Sequence, residues 1–363
     1  VFFGLNQKIF SRSVILFLLF SFIIIISSVL HAVFDGGLYD ITLFIDYTFS
    51  LIKIFVVSFF ISNLDPAQRE RLLNKIFVIA LMGVFSGIAS NYLKLLYVNI
   101  PPSAEYRTFG FYMNPNELGL VCAFALALVL KSNQSIFLKS IFSGLIFYVG
   151  FLSFSKSTIL SMGLILFLVL FTTHRIVSIL IAALLVIFLS YPEVIVDVIF
   201  TIRETSIFEL NLSQERRLDQ IMAILQIGAE GTSGVDDRWL IWKVALPLVM
   251  DNPILGGGLG SFHSIQGGVY HFGSWQGVHN VFLLVWGEFG ILAILVFLVL
   301  LSSIGLRSIQ AGYHNVFIIL VIFMVTNHAF FNQSQALIIF GFLIGVADPI
   351  GSKDNRSYAN RVI

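Results

Sequence analysis

The polar residues that could do chemistry are few, and they gather in three segments of an otherwise apolar chain. The first runs from Glu105 to Glu117, the second is Ser155–Thr158, and the third ends at Gly277–Asn280. These segments and the stretch before Gly277 carry arginine, lysine and histidine side chains. Arginine and lysine bind phosphate and carboxylate groups, and histidine can accept a proton near neutral pH. The residue types therefore indicate anion binding and acid–base chemistry.

His279 and Asn280 stand at the start of a long apolar run. The N-terminal dipole of the helix expected there would disfavour the imidazolium, and a neutral histidine is what a general base requires. Asn280 could then fix the orientation of the ring. The alternative is that His279 is only an interfacial anchor. Glu288, further into the run, is predicted to pair within the bundle, because carboxylates inside a membrane seldom stay unpartnered.

The stretch Val235–Trp242 has the pattern of a helix start, with Asp236 as a candidate N-cap. Arg238 falls in the first turn, where a cation opposes the helix dipole. Two explanations stay open. Arg238 pairs with Asp236 or Asp237, or it adds its charge to the free N–H groups of the helix start and forms an anion site.

Two further features follow this helix start. Trp239, Trp242 and Leu246 share one face at helical spacing, which predicts a helix lying at the membrane interface. Pro253 ends the run. The next stretch, Leu255–Ser261, is dense in glycine but lacks the Gly-Lys-Ser/Thr ending of a nucleotide-binding loop. It is predicted to be a flexible turn, and a phosphate cradle is the alternative.

The composition places these residues in a membrane protein. Hydrophobic residues make up 58% of the chain, charged residues 11%, and the mean hydropathy is +0.94. A soluble domain carries about 25% charged residues, so a water-soluble globule of this length is excluded. The basic residues are scattered rather than clustered, so the charge gives no indication of nucleic-acid binding, and no nucleic-acid partner is expected. A single cysteine, Cys122, excludes disulfides and Cys-based metal sites.

The hydropathy pattern predicts ten spans, because a spanning helix needs about 20 mostly apolar residues. The spans are Val14–Val33, Ile41–Ile61, Ile76–Leu93, Pro115–Leu130, Phe137–Phe154, Ser157–Thr173, Ile176–Tyr191, Val278–Leu306, His314–Phe331 and Gln335–Ala347. The predicted fold is all-α: a polytopic transmembrane bundle with one large periplasmic loop that contains interfacial helices. It divides into transmembrane helices over 1–200, the loop over 201–277, and three helices with a cytoplasmic tail over 278–363.

The basic residues predict the orientation, since lysine and arginine mark the cytoplasmic side. With the N-terminus inside, the inner connections and the two termini hold twelve of the 21 basic residues: Lys8, Arg12, Arg69, Arg71, Lys75, Lys131, Lys139, Arg175, Arg307, Lys353, Arg356 and Arg361. The long loop then falls outside. The apolar stretch after Arg12 is too long for a cleaved signal peptide, and the start at Val1 is expected to reflect an alternative start codon or a trimmed N-terminus.

Several of these stretches resemble the O-antigen ligase and polymerase superfamily. They are Asp237–Trp239, Trp242–Leu246, Asp251–Phe262, Val278–Leu283, Gly287–Ile291, and Arg107 followed by Gly110-Phe111 and Asn114-Pro115-Asn116. The resemblance covers roughly Arg107 to Leu301, with Thr201–Gly234 unmatched. It implies a metal-independent glycosyltransferase of the bacterial inner membrane, without a cofactor, whose active site faces the periplasm.

The resemblance also assigns residues. His279 matches the family histidine, and Arg238 matches the arginine that opens the long-loop helix, so both are the candidate catalytic residues. Many members carry a Ser-Arg pair where this sequence has Ser155-Lys156. Lysine cannot make the bidentate contact that arginine makes to phosphate. The full set of candidate substrate-binding residues is Arg107, Lys156, Asn280, Asn116 and Arg217.

The implied donor is an undecaprenyl-diphosphate-linked glycan, and the acceptor is a glycolipid. The arginines would stabilise the departing diphosphate, and His279 would take the proton of the attacking hydroxyl, with inversion at the sugar carbon. If the acceptor is a second lipid-linked repeat, the protein is a polysaccharide polymerase, which is the favoured hypothesis. Lipid A–core as acceptor makes it an O-antigen ligase. Membrane lipids and a chain-length regulator protein are the other expected partners.

A flippase for the same lipid-linked sugar is the alternative from another class. Transporters have inverted repeats and broken helices with polar groups near the membrane midplane. Only Asp46 and Lys53 are charges that favour this alternative, and no repeat is visible in the sequence. Because the polar residues gather at one face, the sequence favours the transferase.

Overall fold

The structure, a computed structural model, describes residues 11–34, 41–93, 110–112, 114–153, 155–180, 183, 237–263, 269–271, 274–327 and 329–347. It forms two compact units. The first contains Val1–Ile76 and Arg238–Ile363, and the second contains Phe77–Asp237. Of the predicted site residues, Arg107 and Arg217 lie outside the described residues.

The described residues are mainly helical. In chain order the helices are α1 (Arg12–Phe34), α2 (Ile41–Ser62), α3 (Pro66–Leu93), α4 (Pro115–Lys131), α5 (Ile136–Leu152), α6 (Lys156–Thr173), α7 (Asp237–Asp251), α8 (Val281–Gln310), α9 (His314–Thr326) and α10 (Ser334–Ala347). A short 3₁₀ helix, Ala329–Asn332, separates the last two.

Four of the described helices are long and apolar enough to cross a membrane: α1, α2, the Ala67–Ala89 part of α3, and α8. Helices α5, α6, α9 and α10 are apolar but shorter. The helical, membrane-type architecture is thus confirmed, while the count of ten spans stays a prediction. The span predicted over His314–Phe331 is interrupted, because α9 ends at Thr326 and the side chain of Asn327 accepts a hydrogen bond from the Ala329 amide at 2.9 Å.

Close helix contacts build the core of the first unit. Gly341 and Gly345 of α10 face α2 so closely that an added methyl group would meet the carbonyl oxygens of Ile54 and Ser58 at 2.9 and 2.8 Å. Small residues of this kind let two helix backbones approach inside a membrane. Phe297 of α8 stacks on an α1 phenylalanine at a ring-centroid distance of 4.9 Å. The first unit is therefore held together by interior packing along its helices.

The second unit is centred on α4. Its residues from Leu118 to Val129 are all buried, including Cys122, and α5 and α6 pack against them. Asn114 caps this helix, with its side-chain oxygen 2.8 Å from the amide of Asn116. A helix that is apolar on every side and buried on every side is typical of the interior of a bundle.

Helix α8 is broken at Gly290, where φ is 79° and ψ is −175°. The break frees backbone groups that a continuous helix would pair, and a membrane offers no water to pair them. A neighbouring loop pairs them instead: the amide of Gly257 donates to the Gly287 carbonyl at 2.7 Å, and that of Gly258 donates to Glu288 at 3.1 Å. The Ile291 amide, which the break leaves without a helical partner, donates to the Pro253 carbonyl at 2.9 Å.

One short β-hairpin is present beside the helices of the predicted all-α fold. Strands β1 (Val269–His271) and β2 (Ser274–Gln276) pair antiparallel within the long segment that was predicted to contain interfacial helices. Each strand has three residues. Three residues are too few to show the alternation of apolar and polar positions by which a strand is recognised in a sequence.

The two ends of the first unit differ in character. At one end the Ser13 and Ser303 hydroxyls lie 3.5 Å apart, and Arg307 donates to the Ala347 carbonyl at 3.4 Å. These contacts bring together the start of α1 and the ends of α8 and α10, where predicted cytoplasmic arginines lie. At the opposite end His31 approaches the Gly256 carbonyl at 3.2 Å, beside the break in α8. The first half of α8, with His279 before it, belongs to this opposite end.

Candidate functional site

His279 lies immediately before α8 in a backbone conformation that side chains rarely adopt. Its φ is 50°, and it is the one described residue other than glycine with a positive φ. Its side chain is half-buried. Conformations of this kind cost about 1–3 kcal/mol and persist only where the surroundings impose them, often at functional sites. Histidine tolerates the left-handed region better than most residues do, which reduces the cost here.

The residues on both sides hold His279 in place. Before it, the carbonyl of buried Val278 accepts a hydrogen bond from the indole N–H of Trp242 at 2.9 Å. After it, the Asn280 side-chain oxygen accepts from the amides of Phe282 and Leu283 at 2.9 and 3.1 Å. Asn280 therefore acts as the N-cap of α8. Its predicted role in binding substrate stays a prediction.

Arg238 belongs to the first turn of α7, as the sequence predicted for this helix start. The buried face of α7 consists of Ile241, Ala245 and Val249, which recur every four residues. Leu246 is exposed, as are other large apolar residues of this helix. Exposed apolar side chains are suited to contact with lipid, and the interfacial position of this helix stays a prediction. The helix passes Pro247 and ends at Asp251.

A buried ion pair lies beside the break in α8, and the sequence predicted only one of its two members, Glu288. The prediction that Glu288 pairs within the bundle is confirmed, and its partner is His263, whose Nδ1 lies 2.8 Å from the carboxylate. Burial alone would lower the pKa of His263, but the charge of Glu288 and the hydrogen bond between the two side chains outweigh it, so the pKa is raised. The phenolic oxygen of Tyr47 lies 3.4 Å from the other ring nitrogen.

The carboxylate of Glu288 is completely buried. Oxygen Oε1 also accepts from the Phe262 amide at 3.3 Å, whereas Oε2 has no hydrogen-bond partner among the described residues. Sequence reasoning missed His263 although it directly follows the glycine-dense stretch. The available signal was the demand of Glu288 for a partner, combined with a loop that must cover it.

The glycine loop, Leu255–Ser261, is neither a flexible turn nor an open phosphate cradle. The amides of Gly256, Gly257 and Gly258 donate to protein carbonyls, so they are not available to an anion. A methyl group on Gly256 would meet the Glu288 carbonyl group at 2.5 Å. The glycines are there because the loop must approach the backbone of α8 closely, which corrects the predicted flexible turn.

The second unit holds two more predicted residues, Asn116 and Lys156. Asn116 is half-buried in the first turn of α4, and Lys156 opens α6. An added methyl group on Gly119 would collide with the Thr158 side chain, so the starts of α4 and α6 lie against each other. The structure thus brings these two segments together in one unit, and it brings the segments of Arg238 and His279 together in the other.

The part of the chain that the structure describes shows no obvious set of metal ligands. There, no group of three or more His, Cys, Asp or Glu side chains could hold a metal ion. The chemistry that His279 can offer is hydrogen bonding and proton transfer.

Comparison with known proteins places part of the chain in the range of one family model. Residues 141–298 match the family model described as O-antigen ligase, which is a little under half of the chain. The matched segment contains Lys156, Arg238 and His279, and it ends within α8 beyond the break. No curated protein matches the chain. The predicted resemblance is confirmed over these residues: this part of the helical membrane protein is similar to the O-antigen ligase family.

Proposed function

We propose that this protein polymerises a surface polysaccharide by transferring undecaprenyl-diphosphate-linked saccharide on the periplasmic face of the bacterial inner membrane. The observation that carries the proposal is the constrained position of His279 at the start of α8. It lies within the matched domain, at a capped helix start, in a backbone conformation that Trp242 and Asn280 hold from both sides.

The proposed reaction is a single displacement at the anomeric carbon. The bond from C1 of the donor sugar to the diphosphate oxygen breaks, and that oxygen keeps the electron pair. The acceptor hydroxyl forms the new bond to C1 and gives its proton to His279. Arg238 stabilises the negative charge that develops on the diphosphate. The anomeric centre inverts.

The acceptor decides between two transferase functions. A second lipid-linked repeat unit makes the protein a polymerase, and we favour this because lysine replaces arginine at Lys156 and the rest of the chain is rich in phenylalanine. The description of the matched family supports the second candidate, an O-antigen ligase that uses lipid A–core as acceptor. A chain-length regulator protein is a proposed partner of the polymerase only.

A flippase is less well supported. Helix α8 is broken, as helices of transporters often are, but the glycine loop pairs with the backbone groups at the break. The pocket beside the break is lined mainly by apolar side chains, among them Leu255 and Phe289, and not by the polar groups of a transport site. Asp46 and Lys53 are both exposed on α2, and neither has an ion-pair partner among the described residues. They do not form a charged site inside the first unit.

The proposal includes the membrane orientation and the division of the chain. We propose ten spans with both termini in the cytoplasm, helices over 1–200, a periplasmic loop over 201–277 and helices with a tail over 278–363. Two observations on the first unit support this orientation. The arginines at the start of α1 and near the end of α8 lie at one end, and the segment of His279 lies at the other.

Substitution of His279 tests the proposal. We expect His279→Ala to abolish polymer formation and to reduce the release of undecaprenyl diphosphate by the purified protein about 10²–10⁴-fold, the usual contribution of a general base. His279→Gln should fail equally, because glutamine can hydrogen-bond but cannot accept a proton. The amount of protein inserted in the membrane should stay near the wild-type level.

Three other outcomes would contradict parts of this proposal. Full release by His279→Ala would remove His279 from the site and overturn the mechanism. Substantial release by His279→Gln alone would make it an orienting residue. A wild-type protein that moves lipid-linked saccharide across the membrane without releasing undecaprenyl diphosphate would be a flippase.

A further inference from the structure

We propose that Trp242 is a positioning residue for the transfer reaction, because its indole N–H fixes the peptide that presents His279. This inference rests on the proposed function. The contact joins α7, which begins beside Arg238, to the residues directly before α8. Trp242 thereby sets the separation between the two candidate catalytic residues.

The first step concerns the peptide between Val278 and His279. The indole nitrogen of Trp242 lies 2.9 Å from the Val278 carbonyl oxygen. A peptide group is planar, so fixing the direction of this carbonyl also fixes the N–H of His279. The φ of 50° at His279 is measured from that plane. A strained residue needs such a constraint, because without it the chain can relax to a more favourable conformation.

The second step concerns the strength of the constraint. Val278 is fully buried, and Trp242 is half-buried. A hydrogen bond shielded from water is stronger than an exposed one, and the loss of its donor leaves a buried carbonyl unpaired. The contact is therefore suited to holding the backbone at His279 against its strain.

The third step connects this contact to Arg238. Trp242 follows Arg238 by four residues in α7, which is a rise of about 6 Å along the helix axis. Buried Ile241, Ala245 and Val249 anchor the same helix. A helix transmits a displacement of one turn to the next, so a shift at Trp242 moves the backbone of Arg238. A displacement of about 1 Å between reacting groups can cost about 100-fold in rate.

A second tryptophan provides the matched control. Trp286 lies in the first half of α8, and its indole N–H donates to the Pro253 carbonyl at 3.1 Å. That contact ties α8 to the loop at its break, away from the peptide before His279. Replacing each tryptophan by phenylalanine removes the same donor and retains an aromatic ring. Only the change at Trp242 should free the His279 peptide.

The experiment measures undecaprenyl diphosphate release against the concentration of lipid-linked repeat, for the full-length protein in detergent. We expect Trp242→Phe to lower kcat roughly 10–100-fold with KM within about 3-fold, because positioning matters most in the transition state. Trp286→Phe should keep kcat within about 3-fold. The melting temperatures of the two variants should be similar.

Each other result would overturn the inference in a recognisable way. Wild-type kcat in Trp242→Phe, together with an inactive His279→Ala, would refute the role of Trp242 and leave the proposed function standing. Equal losses of kcat in both tryptophan variants would show a general effect on folding. Activity in His279→Ala would refute the proposed function itself.

A second variant covers the case in which Trp242→Phe does not accumulate. Replacement of Trp242 by benzothienylalanine exchanges the indole N–H for sulfur and preserves the size of the ring system. We expect the same loss of kcat in this variant. A benzothienyl variant as active as the wild type would refute the inference.

Discussion

The pair of His263 and Glu288 should make the stability of the folded protein depend on pH. The pKa of His263 is raised by the carboxylate that it contacts. The stability that protonated His263 gives the folded state is therefore fully present below the pKa of an unfolded histidine, about 6.5. This stability is lost as the pH rises through the higher pKa of His263 in the folded state. We expect Glu288→Gln to be less stable than the wild type by about 1.5–3 kcal/mol near pH 5.5, the usual worth of a charged hydrogen bond.

Thermal unfolding in detergent at pH 5.5, 7 and 8.5 measures this difference. The gap between wild type and Glu288→Gln should narrow as the pH rises. Glu70→Gln is the control, because Glu70 is exposed on α3, and its gap should stay small throughout. A gap that stays constant or grows towards pH 8.5 would contradict the role given to His263.

The residue scale also shows why the glycine loop was misread. In the sequence, repeated glycines favour a flexible turn, because glycine relaxes the backbone. In the folded chain the same glycines permit contact with Gly287 and Glu288 at hydrogen-bonding distance. The difference arises from a partner that lies about thirty residues further along the chain.

At the scale of elements, the break in α8 depends on Gly290. Its φ is 79°, and an added methyl group would collide with the Ile254 carbonyl group. We expect Gly290→Ala to combine backbone strain of about 1–3 kcal/mol with this collision. The loop would then separate from the first half of α8. Folded protein in the membrane should fall severely, as measured by the monodisperse fraction after extraction.

Gly163→Ala is the matched control for this variant. Gly163 lies in α6, and nothing approaches within 4 Å of the position where its methyl group would be. Alanine is favoured over glycine in a helix by about 1 kcal/mol, so this variant should accumulate like the wild type. Normal accumulation of Gly290→Ala would show that α8 can close its break.

The whole molecule must place the segment of His279 outside the cytoplasm if the proposed function is correct. A phosphatase reporter fused at Gly231 should therefore be active in the periplasm. A fusion at Lys75 is the control and should be inactive there, because Arg69, Arg71 and Lys75 mark a cytoplasmic connection. Reporter activity restricted to the cytoplasm at Gly231 would overturn the orientation and the mechanism.

The sequence by itself determined the class of the protein and most helix limits. Hydropathy places the start of α2 at Ile41 and the ends of α6 and α10 at Thr173 and Ala347, as the structure has them. Local signals suffice for such limits. Asn114 before Pro115 starts α4 through a cap and a fixed backbone angle, and both act within a few residues.

Only the tertiary structure decided how the candidate site is supported. The pairing of His263 with Glu288, the break at Gly290 and the contact of Trp242 with Val278 all join residues that are distant in the sequence. A hydrophobic pattern indicates which residues become buried, but it does not indicate which polar partner a buried polar group will contact. That choice is made by packing, since a buried donor or acceptor must find its partner wherever the fold brings one.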